Sequence, residues 1–211
     1  MNISEFIRKW SEDLVEHKKE LDRALEPTKL LAKLDQQEKM ALFRIRDYKF
    51  KCVGNLLATR RRLYSVLGAQ SDEEAYRKLL QAERNPVKPK ERDFFNYYRR
   101  VEVDLNIVPF IKFYPGDGGF YLTSSVFIAC LEEVCNASIH RTMFLAKDKA
   151  VARIVPRHLR YIYEHNKSKG LETPVAIVVS APPAVVVAAA SSPPFGVFEL
   201  NMAAAIDSDI K

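Results

Sequence analysis

The stretch FYLTSSVFIACLEEVCNASIHRTMFLA, residues 120–146, contains two runs of residues that are typical of β-strands. Aromatic and β-branched side chains dominate FYLTSSVFIACL and NASIHRTMFLA, and such residues favour strands. Short runs of the same kind lie on both sides, separated by turn signals such as PGDGG at 115–119. These further predicted strands are VEVDL (101–105), IVPFIKFYP (107–115), AVARIVP (150–156) and TPVAIVVS (173–180). The sequence therefore predicts a strand-rich core that opens at about residue 100.

The first 95 residues have a different, mainly helical character. Apolar residues recur at steps of three and four from Ile3 to Val15, which predicts an amphipathic helix over residues 3–23 with Asn2 or Ser4 as its cap. KMALFRIRDYKFKCVGN (39–55) alternates well enough for one or two strands. TRRRLYSVLG (59–68) and SDEEAYRKLLQAER (71–84) predict helices, the second with the capping-box pair Ser71 and Glu74. The proline- and charge-rich NPVKPKERD (85–93) predicts a linker.

Three segments complete the C-terminal part. HLRYIYEHNKSKG (158–170) predicts a helix ending at Gly170, and FELNMAAAI (198–206) begins another. PAVVVAAASS (183–192) is a short apolar run that fits either a helix or a strand. The predicted fold class is α+β, with a small mixed α/β region at 1–95, a core at 96–206 and a tail at 207–211.

The amino-acid composition and the distribution of charge disfavour a nucleic-acid-binding protein and a membrane protein. The hydrophobic content of 47% and charged content of 28% are those of an ordinary globular protein. The net charge of +6 is spread along the chain and interleaved with acidic residues, which disfavours a nucleic-acid surface. Prolines interrupt PVAIVVSAPPAVVVAAASSPP (174–194), so no membrane span is predicted. Three cysteines without CxxC spacing favour reduced thiols and a cytoplasmic location.

Four polar side chains stand in apolar surroundings in the second half: Asn136, Arg141, His158 and Glu199. An amide oxygen, an imidazole and a carboxylate form a donor set suited to Mn²⁺, Mg²⁺ or Fe²⁺. Arg141 is a candidate for binding a carboxylate or phosphate. Each residue also has an ordinary structural explanation, such as a helix cap, a turn or a helix-start acid. No GxGxxG or GxxxxGK[ST] phosphate loop, HExxH motif or GxSxG elbow is present.

Five collinear blocks between residues 50 and 206 resemble the UbiD family of decarboxylases, which use prenylated FMN. They are VGNLLATRRRLYSVLG (53–68), NPVKPKERD (85–93), VPFIKFYPGDGGFYLTSSVFIA (108–129), NASIHRTMF (136–144) and AVARIVP through NMAAAI (150–206). The resemblance implies an incomplete split-β-barrel flavin-binding core. It also implies a reversible, non-oxidative decarboxylation of an aromatic or α,β-unsaturated carboxylic acid.

The resemblance assigns roles to individual residues. It implies that Asn136, His158 and Glu199 bind Mn²⁺ or another divalent metal, which holds the phosphate of prenylated FMN. Arg141 is expected to contact both cofactor and substrate carboxylate. The other expected cofactor-binding residues are Ser138, Ile139, His140, Arg157 and Ser191, and the resemblance implies a K⁺ ion near the last of these.

The sequence departs from the family after Glu199. The family's two acid–base glutamates lie well beyond this motif, and nothing in residues 200–211 matches them. Three alternatives remain open: the first half of a split enzyme, a truncated product, or a flavin-binding or assembly subunit without catalysis. The expected partners are a small carboxylic acid, a flavin prenyltransferase that supplies the cofactor, and either a second copy or a second subunit.

Overall fold

The computed structural model describes residues 1–210 and contains two open sheets within an α+β fold. The predicted fold class is confirmed, and in the described residues neither sheet closes into a barrel. The division at residue 95 stays a prediction.

The helices are α1 (Ile3–Lys9), α2 (Glu26–Asp35), α3 (Arg60–Leu67), α4 (Asp72–Arg84), α5 (His158–Ser168), α6 (Pro183–Ser191) and α7 (Glu199–Ile206). The strands are β1 (Leu14–Leu21), β2 (Met40–Ile45), β3 (Lys51–Gly54), β4 (Tyr121–Leu131), β5 (Val134–Ala146), β6 (Lys149–Ala152) and β7 (Ala176–Val178).

The N-terminal sheet has the order β1-β2-β3, with β1 parallel to β2 and β3 antiparallel to it. The prediction of one helix over residues 3–23 is wrong, because α1 ends at Lys9 and residues 14–21 form β1. The backbone of β1 pairs with that of β2, a long-range contact that outweighs the local helical pattern. Asn2 is the predicted cap, since its side chain accepts a hydrogen bond from the Glu5 N–H.

The second sheet is antiparallel, with the order β6-β5-β4-β7. Its centre is the β4–β5 hairpin, in which Leu131 pairs with Val134 beside the turn. The strands predicted at VEVDL and IVPFIKFYP are wrong. Ile111 forms only an isolated bridge to Tyr121, and Pro109 and Pro115 lack the N–H that a regular ladder needs.

Cys130 and Cys135 form a disulfide across this hairpin, with a Cα–Cα distance of 4.0 Å. The prediction of reduced thiols is therefore wrong for this pair, while Cys52 is free. The two-residue turn brings the cysteines opposite each other, a consequence of strand register that their spacing alone does not reveal.

Helix α6 connects the two parts of the molecule. Val187 and Ala184 pack with Phe6 and Met40, whereas Ala188 on the same helix packs with Val126 of β4. The helix is apolar on all sides, as expected of an element buried by several neighbours. Its start at Pro183 suits proline, which has no N–H to leave unpaired in the first turn. In the described part of the chain, no helix combines the length and apolarity needed to cross a membrane.

Candidate functional site

A cavity of about 790 Å³ opens where β5, the start of α5, the end of α6 and the start of α7 meet. Its volume is within the range of small-molecule and cofactor sites. The walls combine apolar side chains with a few polar groups. Of the residues predicted for the site, seven line it: Asn136, Ser138, Ile139, His140, Arg157, His158 and Glu199.

Glu199 and Asn136 form a buried pair at this cavity. The Asn136 Nδ2 amide donates to Glu199 Oε1 at 2.7 Å, and the Ala137 N–H donates to Oε2 at 2.7 Å. Glu199 is the first residue of α7, where the helix dipole favours a carboxylate. β5 and α7 therefore hold the amide and the carboxylate together, although 63 positions separate them in the chain.

The carboxyl of Glu199 is only 2% exposed. Burial raises its pKa above the ordinary value, and the hydrogen bonds from Ala137 and Asn136 oppose that rise. A nearby cation would stabilise the ionised form that burial disfavours. The environment of Glu199 is thus suited to a carboxylate that serves as a metal ligand.

Ser138 and His140 continue the polar wall along β5. The Ser138 hydroxyl lies 2.9 Å from Asn136 Oδ1 and 2.9 Å from His140 Nε2. The other ring nitrogen, Nδ1, lies 3.1 Å from the Arg153 carbonyl oxygen. Polar groups from four residues, from His140 to Glu199, therefore follow one another at hydrogen-bonding distances along the wall.

The start of α5 also contributes to the wall of the cavity. His158 is the first residue of that helix, and its ring meets the edge of Phe195 at a centroid distance of 5.3 Å. Arg157 donates from Nη1 to the Ser192 hydroxyl at 2.6 Å. An imidazole and a guanidinium thus line the same cavity as the Asn136–Glu199 pair.

Two predicted site residues lie elsewhere. Arg141 points to the other side of β5, where its guanidinium binds Asp117 at 3.0 Å and lies over the Tyr121 ring. Hydrogen bonds from the Tyr114 and Phe113 N–H groups and from Arg141 hold the pKa of Asp117 below its ordinary value. The Ser191 hydroxyl donates to the Ala188 carbonyl rather than lining the cavity.

Sequence reasoning missed Ser192, Ala189 and Ala190 as lining residues. Ser192 follows α6 in the left-handed conformation, with φ of 53°, which turns the chain toward Arg157. The small side chains of Ala189 and Ala190 leave room at the end of the helix. The alanine-rich composition of 188–190 was the available signal, since small residues permit close approach of a ligand.

The donor set fits a hard or borderline divalent metal, with an amide oxygen, a carboxylate and an imidazole on one cavity. Within residues 1–210, no three side chains drawn from His, Cys, Asp and Glu cluster as a metal site. The predicted set contains two such residues and takes its third donor from Asn136. Its chemistry is compatible with Mn²⁺ or Mg²⁺, which accept oxygen ligands readily.

Two family models match the chain. Residues 8–83 match the 3-octaprenyl-4-hydroxybenzoate carboxy-lyase N-terminal domain, and residues 86–209 match the Rift-related domain of the same family, UbiD. An anhydromevalonate phosphate decarboxylase of Aeropyrum pernix is 36% identical over 191 residues, covering 88% of this chain and 42% of the relative. One from Methanothermobacter thermautotrophicus is 28% identical, covering 94% of this chain and 47% of the relative.

Solved structures agree with these matches. The UbiD-class enzyme HmfF from Pelotomaculum thermopropionicum, an evolved dimeric form in complex with prFMN, superposes with a TM-score of 0.90 at 27% identity. That match covers 97% of this chain and 50% of HmfF. The vanillic acid decarboxylase of Sedimentibacter hydroxybenzoicus in its closed form superposes with a TM-score of 0.88 at 17% identity, which shows the shared fold. The chain thus spans about half the length of these relatives, and it belongs to the UbiD family.

Proposed function

We propose that this chain is the flavin- and metal-binding half of a prenylated-FMN-dependent decarboxylase. The observation that carries the proposal is the cavity that Asn136, His158 and Glu199 all line. Support also comes from HmfF, which has the same fold over this region and was solved with prFMN and with FMN.

The substrate class that we favour is a carboxylic acid that carries a phosphate. The support is the name shared by four curated relatives, anhydromevalonate phosphate decarboxylase. Within the wider α,β-unsaturated or aromatic class expected from the sequence, this favours the non-aromatic members.

Different residues of the cavity would contact different parts of the cofactor. Asn136, His158 and Glu199 would hold a divalent cation, most simply Mn²⁺, beside the flavin phosphate. Ile139, Ala189 and Ala190 supply apolar wall that excludes water from the ring. When bound, prenylated FMN accepts the electron pair of the bond that breaks as CO₂ leaves, so the protein has to orient it and supply a proton.

Two roles expected from the sequence, those of Arg141 and Ser191, are not accounted for by the contacts that these side chains make. For Arg141 to reach substrate or cofactor, its guanidinium has to leave Asp117 and turn to the other side of β5. A K⁺ ion near Ser191 stays a prediction. We propose that the protonating glutamates come from a further segment or a second subunit, and that a flavin prenyltransferase supplies the cofactor.

Binding of FMN and Mn²⁺ by the purified chain tests this proposal. Addition of Mn²⁺ is expected to strengthen FMN binding, measured as quenching of flavin fluorescence. Glu199→Gln and His158→Ala should each abolish this Mn²⁺ effect, because each removes one metal ligand. The matched control is Glu164→Gln on the exposed side of α5, which should behave as wild type.

Circular dichroism melts establish that the variants are folded. FMN binding that is indifferent to Mn²⁺ in the wild-type chain would contradict the metal site. Absence of FMN binding even after co-production with a flavin prenyltransferase would contradict the proposed function as a whole. Decarboxylation by this chain alone would contradict the need for additional glutamates.

A further inference from the structure

The Ser138 hydroxyl has one hydrogen and two neighbours that can accept it. Asn136 Oδ1 and His140 Nε2 each lie 2.9 Å from Ser138 Oγ. A serine hydroxyl donates only one hydrogen bond at a time. The Ser138 hydrogen can therefore bond only one of these two atoms at a time, and the other atom is left without it.

The surroundings of His140 decide which ring nitrogen is the acceptor. Nδ1 lies 3.1 Å from the Arg153 carbonyl oxygen, and a carbonyl only accepts, so Nδ1 carries the hydrogen. In the tautomer that carries its hydrogen on Nδ1, the imidazole presents a bare Nε2 to Ser138. The ring is 6% exposed and meets the Phe127 ring edge-on at 5.2 Å, which fixes its orientation.

With the hydrogen directed to His140, Asn136 Oδ1 is left with free lone pairs. The amide itself cannot rotate away, because its Nδ2 donates to Glu199 Oε1 at 2.7 Å. Ser138 Oγ and Asn136 Oδ1 then oppose each other as two acceptors at 2.9 Å, an arrangement that a neighbouring cation stabilises.

We infer that His140 is a positioning residue for the metal site: it takes the Ser138 hydrogen and so keeps the Asn136 carbonyl oxygen free to bind the cation. This inference rests on the proposed metal-binding role of Asn136. Without the imidazole, Asn136 Oδ1 is the remaining side-chain partner of the Ser138 hydroxyl, which then competes with the metal for this oxygen. Removal of the hydroxyl then removes the competition.

A double-mutant experiment tests this arrangement. Mn²⁺ affinity is measured by electron paramagnetic resonance in the presence of FMN at about pH 8, where imidazole in water is neutral. His140→Phe keeps a ring beside Phe127 and should weaken Mn²⁺ binding about tenfold or more, the range found for residues that orient a ligand. Ser138→Ala alone should bind within about threefold of wild type, and the Ser138→Ala/His140→Phe double variant should return to that level.

The control is Thr142→Val, which changes a buried side chain of the same strand outside the cavity and should leave Mn²⁺ affinity unchanged. Wild-type affinity in His140→Phe would overturn the inference. A double variant as weak as His140→Phe would also overturn it, since His140 would then act only through the general structure of β5. If wild type binds no Mn²⁺, both the inference and the metal part of the proposed function fail.

A second measurement does not depend on a folded variant. Long-range ¹⁵N–¹H spectra of the wild-type imidazoles, recorded with Mg²⁺ as a diamagnetic substitute, report which nitrogen of each ring is protonated. His140 is expected as the Nδ1–H form. An Nε2–H form would send the hydrogen bonds in the opposite direction and overturn the inference.

Discussion

Asp13 is the carboxylate on which three cations of the N-terminal part converge. Arg61 and Arg62 bind its Oδ2 at 2.6 and 3.1 Å, and Lys39 binds Oδ1 at 3.3 Å. The Arg62 side chain is fully buried and also donates to the Glu38 carbonyl at 2.7 Å. The cluster joins the segment between α1 and β1 to α3 and to the loop before β2. A buried arginine depends on such complete pairing.

Asp13→Asn should destabilise the protein by about 3 kcal/mol at neutral pH, because the buried Arg62 guanidinium loses its counter-charge. Burial tends to raise the pKa of Asp13, but hydrogen bonds from Lys39, Arg61 and Arg62 outweigh it and leave the pKa below the ordinary 3.8. The stabilisation is therefore complete above about pH 3.8 and is lost as the pH falls through the lower, folded-state pKa.

Urea denaturation of wild type and Asp13→Asn at several pH values measures this dependence. The difference in free energy of unfolding should be largest near neutral pH and should shrink in acid. Asp35→Asn, which changes an exposed carboxylate of α2, serves as the control. A constant difference from neutral pH into strong acid would show that ionisation of Asp13 contributes nothing.

At the scale of the residue, the sequence was informative wherever a polar group interrupts an apolar run. Glu199 stands alone among apolar neighbours, and its burial against Asn136 agrees with that isolation. The direction of the Arg141 side chain could not be predicted in the same way. Its side of β5 depends on strand register, and Asp117, which holds it, lies 24 positions away.

Among the elements, those with strong local signals were predicted well and those made by long-range pairing were not. Helix α4 begins at the predicted cap, with the Ser71 hydroxyl accepting from the Glu74 N–H. The Glu74 carboxylate instead accepts from the Gln70 N–H, so the predicted box is formed only in part. The sequence predicts helix for β1 because its exposed charged residues follow the helical run of α1, and only pairing with β2 makes it a strand.

The β4–β5 hairpin gives a prediction about its cysteines. Alkylation in denaturant without reductant should modify one thiol per chain, that of Cys52, because Cys130 and Cys135 are joined. After reduction, all three should react. In the folded protein Cys52 should react slowly near neutral pH, since burial raises its pKa to about 11 and little thiolate is present.

Intact-mass spectrometry counts the alkylated thiols directly. Three modified cysteines without any reductant would show that the hairpin carries free thiols, as the sequence had suggested. Rapid reaction of Cys52 in the folded chain would instead show that the N-terminal sheet opens around β3.

For the molecule as a whole, residues 88–104 form an exposed arm between the two sheets. The arm is anchored at its ends, where the Val87 N–H donates to the Asn201 carbonyl and the Leu105 N–H to the Lys147 carbonyl. Four aromatic side chains on it are 58–70% exposed: Phe94, Phe95, Tyr97 and Tyr98. They present about 500 Å² of ring surface, more than half of the roughly 800 Å² that each partner buries in a standard interface.

The charges on the arm favour a second copy of the chain as the partner that covers these rings. Basic and acidic residues are mixed along it, and such a mixture is complementary to itself in a two-fold contact. The basic residues are Lys88, Lys90, Arg92, Arg99 and Arg100, and the acidic ones are Glu91, Asp93, Glu102 and Asp104. We therefore expect the chain to self-associate through the arm.

Sedimentation velocity of wild type and of a Phe94→Ser/Phe95→Ser/Tyr98→Ser variant tests this expectation. Wild type should sediment as a dimer or larger species, and the variant should shift to the monomer because the apolar surface that drives association is removed. Tyr76→Ser on α4, a tyrosine that is 70% exposed outside the arm, is the matched control and should associate as wild type does. A wild-type chain that stays monomeric across the accessible concentration range would contradict self-association and leave the arm free for a different polypeptide. A dimer that survives the triple substitution would place the contact elsewhere on the molecule.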